Sequence, residues 1–192
     1  MDIYEPREDS FLLERWAKKL AKGRCLDMGC GSGIQSKAAL KNCSEVIGVD
    51  INPTAVTFCR KHVPGGKFYV SDLFSYFDEQ EEKRKFDTII FNAPYLPNEG
   101  PEDAALDGGR EGYEITARFL KEAARYLAPE DPKPGFGDSE RSKEGQILLM
   151  FSSLTGKGKI EKEIKKNKMR FEELERKHIF FEDIFCCRVT WN

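Results

Sequence analysis

The chain has 192 residues, enough for one domain with a sizeable core but cramped for two. Hydrophobic residues make up 40% and charged residues 33%, which is typical of a folded protein rather than a disordered one. The formal net charge of -2 disfavours a dedicated nucleic-acid binder, which usually carries a basic excess. We therefore expect a single domain over residues 1–192.

The N-terminal sequence and the cysteines favour a cytoplasmic protein. The opening MDIYEPREDSFLL lacks the basic and apolar regions of a signal peptide. Every apolar run is too short to span a bilayer, so no membrane association is expected. The six cysteines form no C-x-x-C pair and the two histidines lack ligand spacing, so we expect reduced thiols and no metal site.

Helical and strand patterns alternate along the chain, which predicts an α/β fold with a largely parallel sheet. A first helix is predicted over residues 8–21, with Phe11, Leu12, Trp16 and Leu20 on its apolar stripe. Further helices are predicted from the glycine loop to about residue 41, after an Asn52-Pro53 cap, and over 114–127 and 159–168. Strands are predicted over 24–28, 45–49, 67–70, 86–91 and 146–151, with two more in a hairpin over 171–191. Residues 93–112 are predicted to form a long loop and residues 129–145 a polar insertion.

A glycine loop follows the first predicted strand and opens a helix. It reads Asp27-Met28-Gly29-Cys30-Gly31-Ser32-Gly33, and glycines at such a turn let a ligand approach the main chain closely. The dinucleotide fingerprint needs a glycine where this chain has Ile34, and no P-loop lysine follows. The pattern favours neither a dinucleotide nor a triphosphate.

Acidic residues follow the next two strands. Asp50 can accept both hydroxyls of a ribose, and Asp72 can accept the exocyclic amine of an adenine. Because parallel strands end at one edge of the sheet, these acids and the glycine loop would line one crevice, which predicts an adenosyl site. The alternative interpretation is a tight turn followed by solvated acids.

The sequence Asn92-Ala93-Pro94-Tyr95 follows the apolar strand that ends at Phe91. It resembles the N-P-P-Y motif of amino-group methyltransferases, with Ala93 in place of the first proline. The Asn92 side-chain oxygen and the Ala93 carbonyl can accept from a planar NH2 group and fix its direction. Pro94 favours an extended Ala93, and Tyr95 can stack on the planar group. The alternative is an ordinary Asn-x-Pro turn.

These segments together resemble the HemK/PrmC-type glutamine methyltransferases, which modify the Gly-Gly-Gln motif of translation release factors. The likeness begins at residues 4–13 and includes the glycine-rich segment over residues 106–112. It implies a Rossmann-like class I methyltransferase fold, with helices on both faces of a seven-stranded sheet of order 3-2-1-4-5-7-6 and an antiparallel last strand. It implies S-adenosyl-L-methionine as cofactor, bound by Ser10, Asp27, Gly29, Gly31, Gly33, Asp50, Asp72, Leu73 and Asn92. The implied catalytic residues are Asn92, Ala93, Pro94 and Tyr95.

The resemblance also implies partners. The substrate would be a release factor, and the compact form of the family is similar to enzymes that need a small zinc-binding activator subunit. The third strand, expected at the sheet edge, carries a dense group of aromatics: Phe68, Tyr69, Phe74, Tyr76 and Phe77. An exposed aromatic edge is an aggregation hazard unless a partner covers it, so we expect the activator at Phe68 and Tyr69. Packing of these rings under a neighbouring helix is the alternative.

Two other functions fit parts of the sequence. An N6-adenine or other amino-group methyltransferase acting on RNA or DNA would use the same Asn92 motif. The basic segment from Lys157 to Arg170 supports it, although that segment also suits a solvated helix face. A non-catalytic binding module would show degenerate motifs, whereas Asp50, Asn92 and Tyr95 are intact.

Overall fold

The structure, a computed structural model, describes residues 3–78, 80, 85–95, 108–109, 112–129 and 144–192. Seven strands within these ranges form one sheet: β1 (Gly23–Met28), β2 (Cys43–Asp50), β3 (Lys67–Val70), β4 (Thr88–Asn92), β5 (Gln146–Ser152), β6 (Met169–Ile179) and β7 (Glu182–Trp191). Their order is β3-β2-β1-β4-β5-β7-β6. The first five strands are parallel, and β7 is antiparallel to β5 and β6. The predicted fold class and strand order are confirmed.

Helices cover both faces of this sheet. In the same ranges they are α1 (Glu8–Leu20), α2 (Ile34–Ala39), α3 (Pro53–His62), α4 (Ser75–Asp78), α5 (Glu114–Ala123) and α6 (Lys157–Lys166). Alternate residues of a strand point to opposite faces, and β1 shows this directly. Leu26 belongs to the core under α5 and α6, whereas Cys25 belongs to the core under α1 and α2. No helix of the described ranges is long and apolar enough to cross a bilayer.

Local chemistry sets the start of α3. The Asn52 side chain accepts a hydrogen bond from the Thr54 N–H at 2.9 Å, and Pro53 occupies the first helical turn, as predicted. One expectation for α1 was wrong. Phe11 is 52% exposed because α1 packs through Leu12, Leu13 and Ala17 instead. The one-turn helix α4 was not predicted, since four residues are too few for a periodic signal.

The aromatic group around β3 divides between core and surface. Phe68 is 2% exposed, and its ring lies over Gly48 of β2, where an added Cβ would sit 2.5 Å from a ring carbon. Phe74 and Phe77 are buried as well. The prediction that Phe68 docks a partner is therefore wrong, because the ring fills the space that Gly48 leaves. Tyr69, which points to the other face, is only partly buried.

Candidate active site

A cavity of about 320 Å³ opens where the parallel strands end. Its walls come from the loops after β1 to β4 and from the start of α1. Most residues predicted to form the site line it: Ser10, Gly29, Gly31, Asp50, Asp72, Leu73, Asn92, Ala93, Pro94 and Tyr95. The sheet topology thus gathers residues that are far apart in sequence at one crevice.

The glycine loop is held to the sheet by its own backbone. The Cys30 N–H donates to the Val49 carbonyl at 2.9 Å, and the Gly31 N–H donates to Asp50 Oδ2 at 2.8 Å. Gly31 has a φ of +48°, which favours glycine, and an added Cβ would meet only the Gly29 carbonyl oxygen, at 3.9 Å. The loop therefore turns beside open space.

Two of the predicted site residues lie behind the cavity wall. Asp27 is 1% exposed and accepts a hydrogen bond from the Ser36 hydroxyl at 2.6 Å. Burial raises the pKa of Asp27 to about 7. Gly33 fits against α3, where a Cβ would lie 2.6 Å from a Val63 methyl carbon. Asp27 and Gly33 therefore support the glycine loop and do not line the cavity.

Asp50 ends β2 with its carboxylate at the cavity. One oxygen accepts from the Gly31 N–H and the other from the Asn52 N–H, each at 2.8 Å. Burial raises the pKa of Asp50 despite these bonds. A carboxylate oxygen has more than one lone pair, so this group can still accept from a ligand hydroxyl.

The Asp72-Leu73 turn forms another wall. Asp72 pairs with Arg118 of α5, so its charge is compensated at the cavity rim. Leu73 has a φ of +46° and is 8% exposed, which places its side chain against the core. The Ser71 hydroxyl stabilises the turn by donating to the Leu73 carbonyl at 2.6 Å.

Asn92, at the end of β4, has an amide held in one orientation. Its Nδ2 donates to Asp9 Oδ2 at 3.0 Å and lies 3.4 Å from the Ser10 hydroxyl. Its Oδ1 is buried and has no hydrogen-bond partner among the described residues. An unpaired buried acceptor costs about 1–3 kcal/mol, so the oxygen is poised to accept from a ligand N–H.

Asp9 is the site residue that the sequence did not reveal. It is 3% exposed and accepts from the Tyr4 hydroxyl at 3.2 Å and from the Ser10 N–H at 2.6 Å, in addition to Asn92. A carboxylate can only accept, so Asp9 faces the NH2 end of the Asn92 amide and leaves the oxygen end free. The sequence signal for Asp9 was its position next to Ser10, within the segment 4–13 that carries the family resemblance.

Tyr95 lies at the mouth of the cavity and is partly buried. Burial raises its pKa, and the nearby carboxylates of Asp9 and Glu182 raise it further. Tyr95 is therefore a neutral phenol at physiological pH, able to stack on a planar group.

Comparison with known proteins agrees with this geometry. Residues 8–131 match the family model described as Methyltransferase small domain. A putative protein N5-glutamine methyltransferase of Methanocaldococcus jannaschii is 33% identical over 194 residues, covering 95% of this chain and 89% of that protein. The chain belongs to the methyltransferase small domain family, as one of its HemK-type members. Methyltransferase HEMK2 of Mus musculus is 33% identical over 150 residues, which cover 67% of this chain and 68% of that protein.

A solved structure shares the fold of this methyltransferase along its whole length. The matching chain comes from the E. cuniculi Mtq2-Trm112 complex, which is described as methylating the eRF1 translation termination factor. The TM-score is 0.75 with 22% identity, and the alignment covers 100% of both chains. At this identity the likeness supports the fold alone. Membership of the family implies a methyl donor of the S-adenosylmethionine type.

The second glycine-rich segment of this methyltransferase is described only in part. Of residues 106–112, Gly108, Gly109 and Gly112 are described, and the rest lie outside the described residues. Gly109 lines the cavity, and the Gly108 carbonyl accepts from the Ile115 N–H at 3.3 Å, next to the start of α5. Most of the predicted loop over 93–112 and of the insertion over 129–145 also lies outside the described residues.

Proposed function

We propose that this methyltransferase transfers a methyl group from S-adenosyl-L-methionine to the side-chain nitrogen of the glutamine in the Gly-Gly-Gln motif of a translation release factor. The observation that carries the proposal is the buried Oδ1 of Asn92, to which no group in the part of the chain that the structure describes donates a hydrogen bond. A primary amide offers the N–H donors that this oxygen lacks. The names of the relatives support glutamine as the substrate and a release factor as its carrier. Such a substrate would place the enzyme in the cytoplasm, as the sequence predicts.

The cavity fits the proposed cofactor. A Cβ added at Gly29 or Gly31 would have no neighbour closer than 3.7 Å, so the loop backbone offers room for a ligand. Asp50 offers carboxylate oxygens for ribose hydroxyls, and Asp72 and Leu73 form the wall proposed to meet the adenine. Ser10 would meet the cofactor from α1. The bound cofactor supplies a methyl group already activated on a sulfonium, so the protein needs no strong base.

The protein would orient the substrate amide rather than supply acid–base catalysis. Asn92 Oδ1 and the Ala93 carbonyl would accept the two amide hydrogens and aim the nitrogen lone pair. Pro94 would hold the Ala93 carbonyl in place by favouring an extended backbone. Tyr95 would stack on the amide plane and help to exclude water.

Mass spectrometry tests the proposal. Purified eRF1 of Schizosaccharomyces pombe, the organism of one relative named for this activity, would be incubated with the protein and S-adenosyl-L-methionine. We expect one added methyl group on the motif glutamine and none with the Asn92→Ala variant. Methylation at another residue, or equal methylation by the variant, would contradict the proposal.

An adenine amino group in RNA or DNA would suit Asn92 equally, so charge must decide between the substrates. At least two of the five lysines of α6 pair with acids: Lys157 with Glu173 at 2.6 Å and Lys166 with Glu163 at 3.4 Å. These pairs, together with the net charge of -2, reduce the basic character that a phosphate backbone would attract. These observations support the protein substrate over a nucleic acid, and total RNA incubated with the protein and labelled S-adenosyl-L-methionine is the control.

The exposed edge of β3 is the proposed site of the small activator subunit, which the family resemblance implies to bind zinc. Tyr69 stacks on Tyr76 with ring centroids 4.2 Å apart, and Val70 is 50% exposed. These side chains offer apolar area beside an edge strand. Arg60 donates to the Phe68 carbonyl at 2.7 Å, so a partner strand would have to share or displace that bond.

A further inference from the structure

The turn between β6 and β7 carries the two most exposed aromatic rings of the described residues. Phe180 is 87% exposed and Phe181 is 99% exposed. Phe180 also has a φ of +47°, a conformation that costs an aromatic residue about 1 kcal/mol and that glycine or asparagine would adopt more easily. A sequence selected for stability or solubility alone would not place two phenylalanines here.

Strand register places this turn beside the cavity mouth. Asn92 lies opposite Met150 of β5, and Met150 lies opposite Cys186 of β7. From Cys186, β7 continues toward Phe181, past the end of β5 at Ser152. Strand geometry puts the turn roughly 15 Å beyond the level of Asn92 and about 10 Å to its side. The hairpin therefore projects past the edge of the sheet at which the cavity opens.

Contacts fix the hairpin in this position. Asp183 pairs with Arg176 and with His178 across the two strands, at 2.5 Å and 3.0 Å. The Asp183 N–H donates to the Ser153 hydroxyl at 3.1 Å, which joins the turn to the end of β5. Glu182 is close enough to Tyr95 to act on its phenol electrostatically. The hairpin that carries the two rings is thus held against the end of β5, and its Glu182 lies near Tyr95 of the cavity.

We propose that Phe180 and Phe181 dock the protein substrate, by binding an apolar surface that flanks its methylated loop. This inference rests on the proposed function. The amide group alone cannot reach the turn while it lies at Asn92, whereas a folded polypeptide around it can. A second copy of this chain fits less well, because two aromatic side chains bury about 300–500 Å² on one partner and a stable interface buries about 800 Å². For a transient substrate, the cavity mouth supplies the remaining contact.

The experiment compares two variants on two substrates. Phe180→Asn with Phe181→Ser removes the rings and suits the positive φ at 180, so the fold should be kept, as a thermal melt would show. Phe180→Leu with Phe181→Leu retains apolar side chains and is the matched control. The substrates are intact S. pombe eRF1 and a short peptide with its Gly-Gly-Gln sequence, which is too small to reach the turn.

We expect the polar double variant to lose about tenfold in kcat/KM on eRF1, chiefly through KM, and to methylate the peptide normally. The leucine variant should stay near the wild type on both. Equal losses on both substrates, or none on either, would overturn the docking role. The docking role would also be overturned if the wild type is a dimer that the polar substitutions dissociate while the kinetics on eRF1 stay unchanged. If the wild type methylates neither substrate, with or without a candidate activator subunit, the proposed function fails, and the docking inference falls with it.

Discussion

Asp9→Asn tests whether the Asn92 amide is held by a carboxylate. The substitution keeps the size of the side chain, but an amide can donate as well as accept, so Asn92 could rotate and lose its free oxygen. The bond in question spans 3.0 Å between Asn92 Nδ2 and Asp9 Oδ2. A hydrogen bond to a charged group contributes about 1.5–3 kcal/mol, which corresponds to roughly 10- to 150-fold in rate.

The loss should fall on kcat, because the productive Asn92 orientation matters most as the nitrogen reacts. We expect kcat on the glutamine peptide to drop within that range, with the cofactor Kd from calorimetry changed by less than about threefold. Glu8→Gln is the matched control, since it removes the same charge from the neighbouring, exposed residue. If Asp9→Asn retains near-normal kcat, or if Glu8→Gln loses as much, Asp9 does not position Asn92.

Three further outcomes are expected. Asp50→Ala should weaken cofactor binding at least about tenfold in calorimetry, because it removes hydrogen bonds to the ribose and to the loop; unchanged affinity would remove Asp50 from the site. Burial raises the pKa of Asp27 from 3.8 to about 7, so the folded state retains this proton and stability falls as the pH rises toward 7. The difference in unfolding free energy between Asp27→Asn and the wild type should therefore grow by about 2.7 kcal/mol between pH 5 and pH 8 in urea unfolding, because only about two pH units of that interval lie below the folded-state pKa. An equal difference at both pH values would contradict this. Tyr69→Asp should block co-purification with the activator at an unchanged melting temperature, whereas Phe68→Asp should unfold the domain; the reverse pattern would place Phe68 on the surface.

The sheet was predictable because its central strands are buried on both faces. Every residue of β5 is buried, and such a strand appears in the sequence as an unbroken apolar run. The glycine loop, Asp50 and the Asn92 motif were predictable for a related reason. Each lies at or just after the end of a strand, and parallel strands bring their carboxyl ends together whatever the intervening sequence.

The burial of Phe68 could not be read from β3 itself. The strand has four residues and lies at the sheet edge, so its alternation does not say which face is covered. The information lies in another strand, because Gly48 stands opposite Phe68 and leaves space for its ring. Only the pairing register of β2 and β3 shows that Gly48 makes room for the Phe68 ring.

The role of Asp9 was hidden for a similar reason. Its contact with Asn92 joins residues 83 positions apart, and no local pattern specifies which end of an amide is engaged. The sequence predicted that the Asn92 oxygen could accept a hydrogen bond. The Asp9 carboxylate of α1 engages the NH2 end of the Asn92 amide and leaves its oxygen available. Only the folded chain brings this carboxylate near Asn92.

The unpaired oxygen of Asn92 also bears on which side chains the enzyme refuses. A glutamate has nearly the shape of glutamine, but its carboxylate offers oxygen where the site requires N–H. Sites built to pair with a polar group reject analogues that lack it by about 10⁴-fold, because the buried group then stays unpaired. Under the proposed function, a release factor whose motif glutamine has deamidated has no nitrogen to methylate, and the site would also refuse to bind its carboxylate, so it would not compete with intact release factors. The modification would then distinguish chemically intact release factors from aged ones.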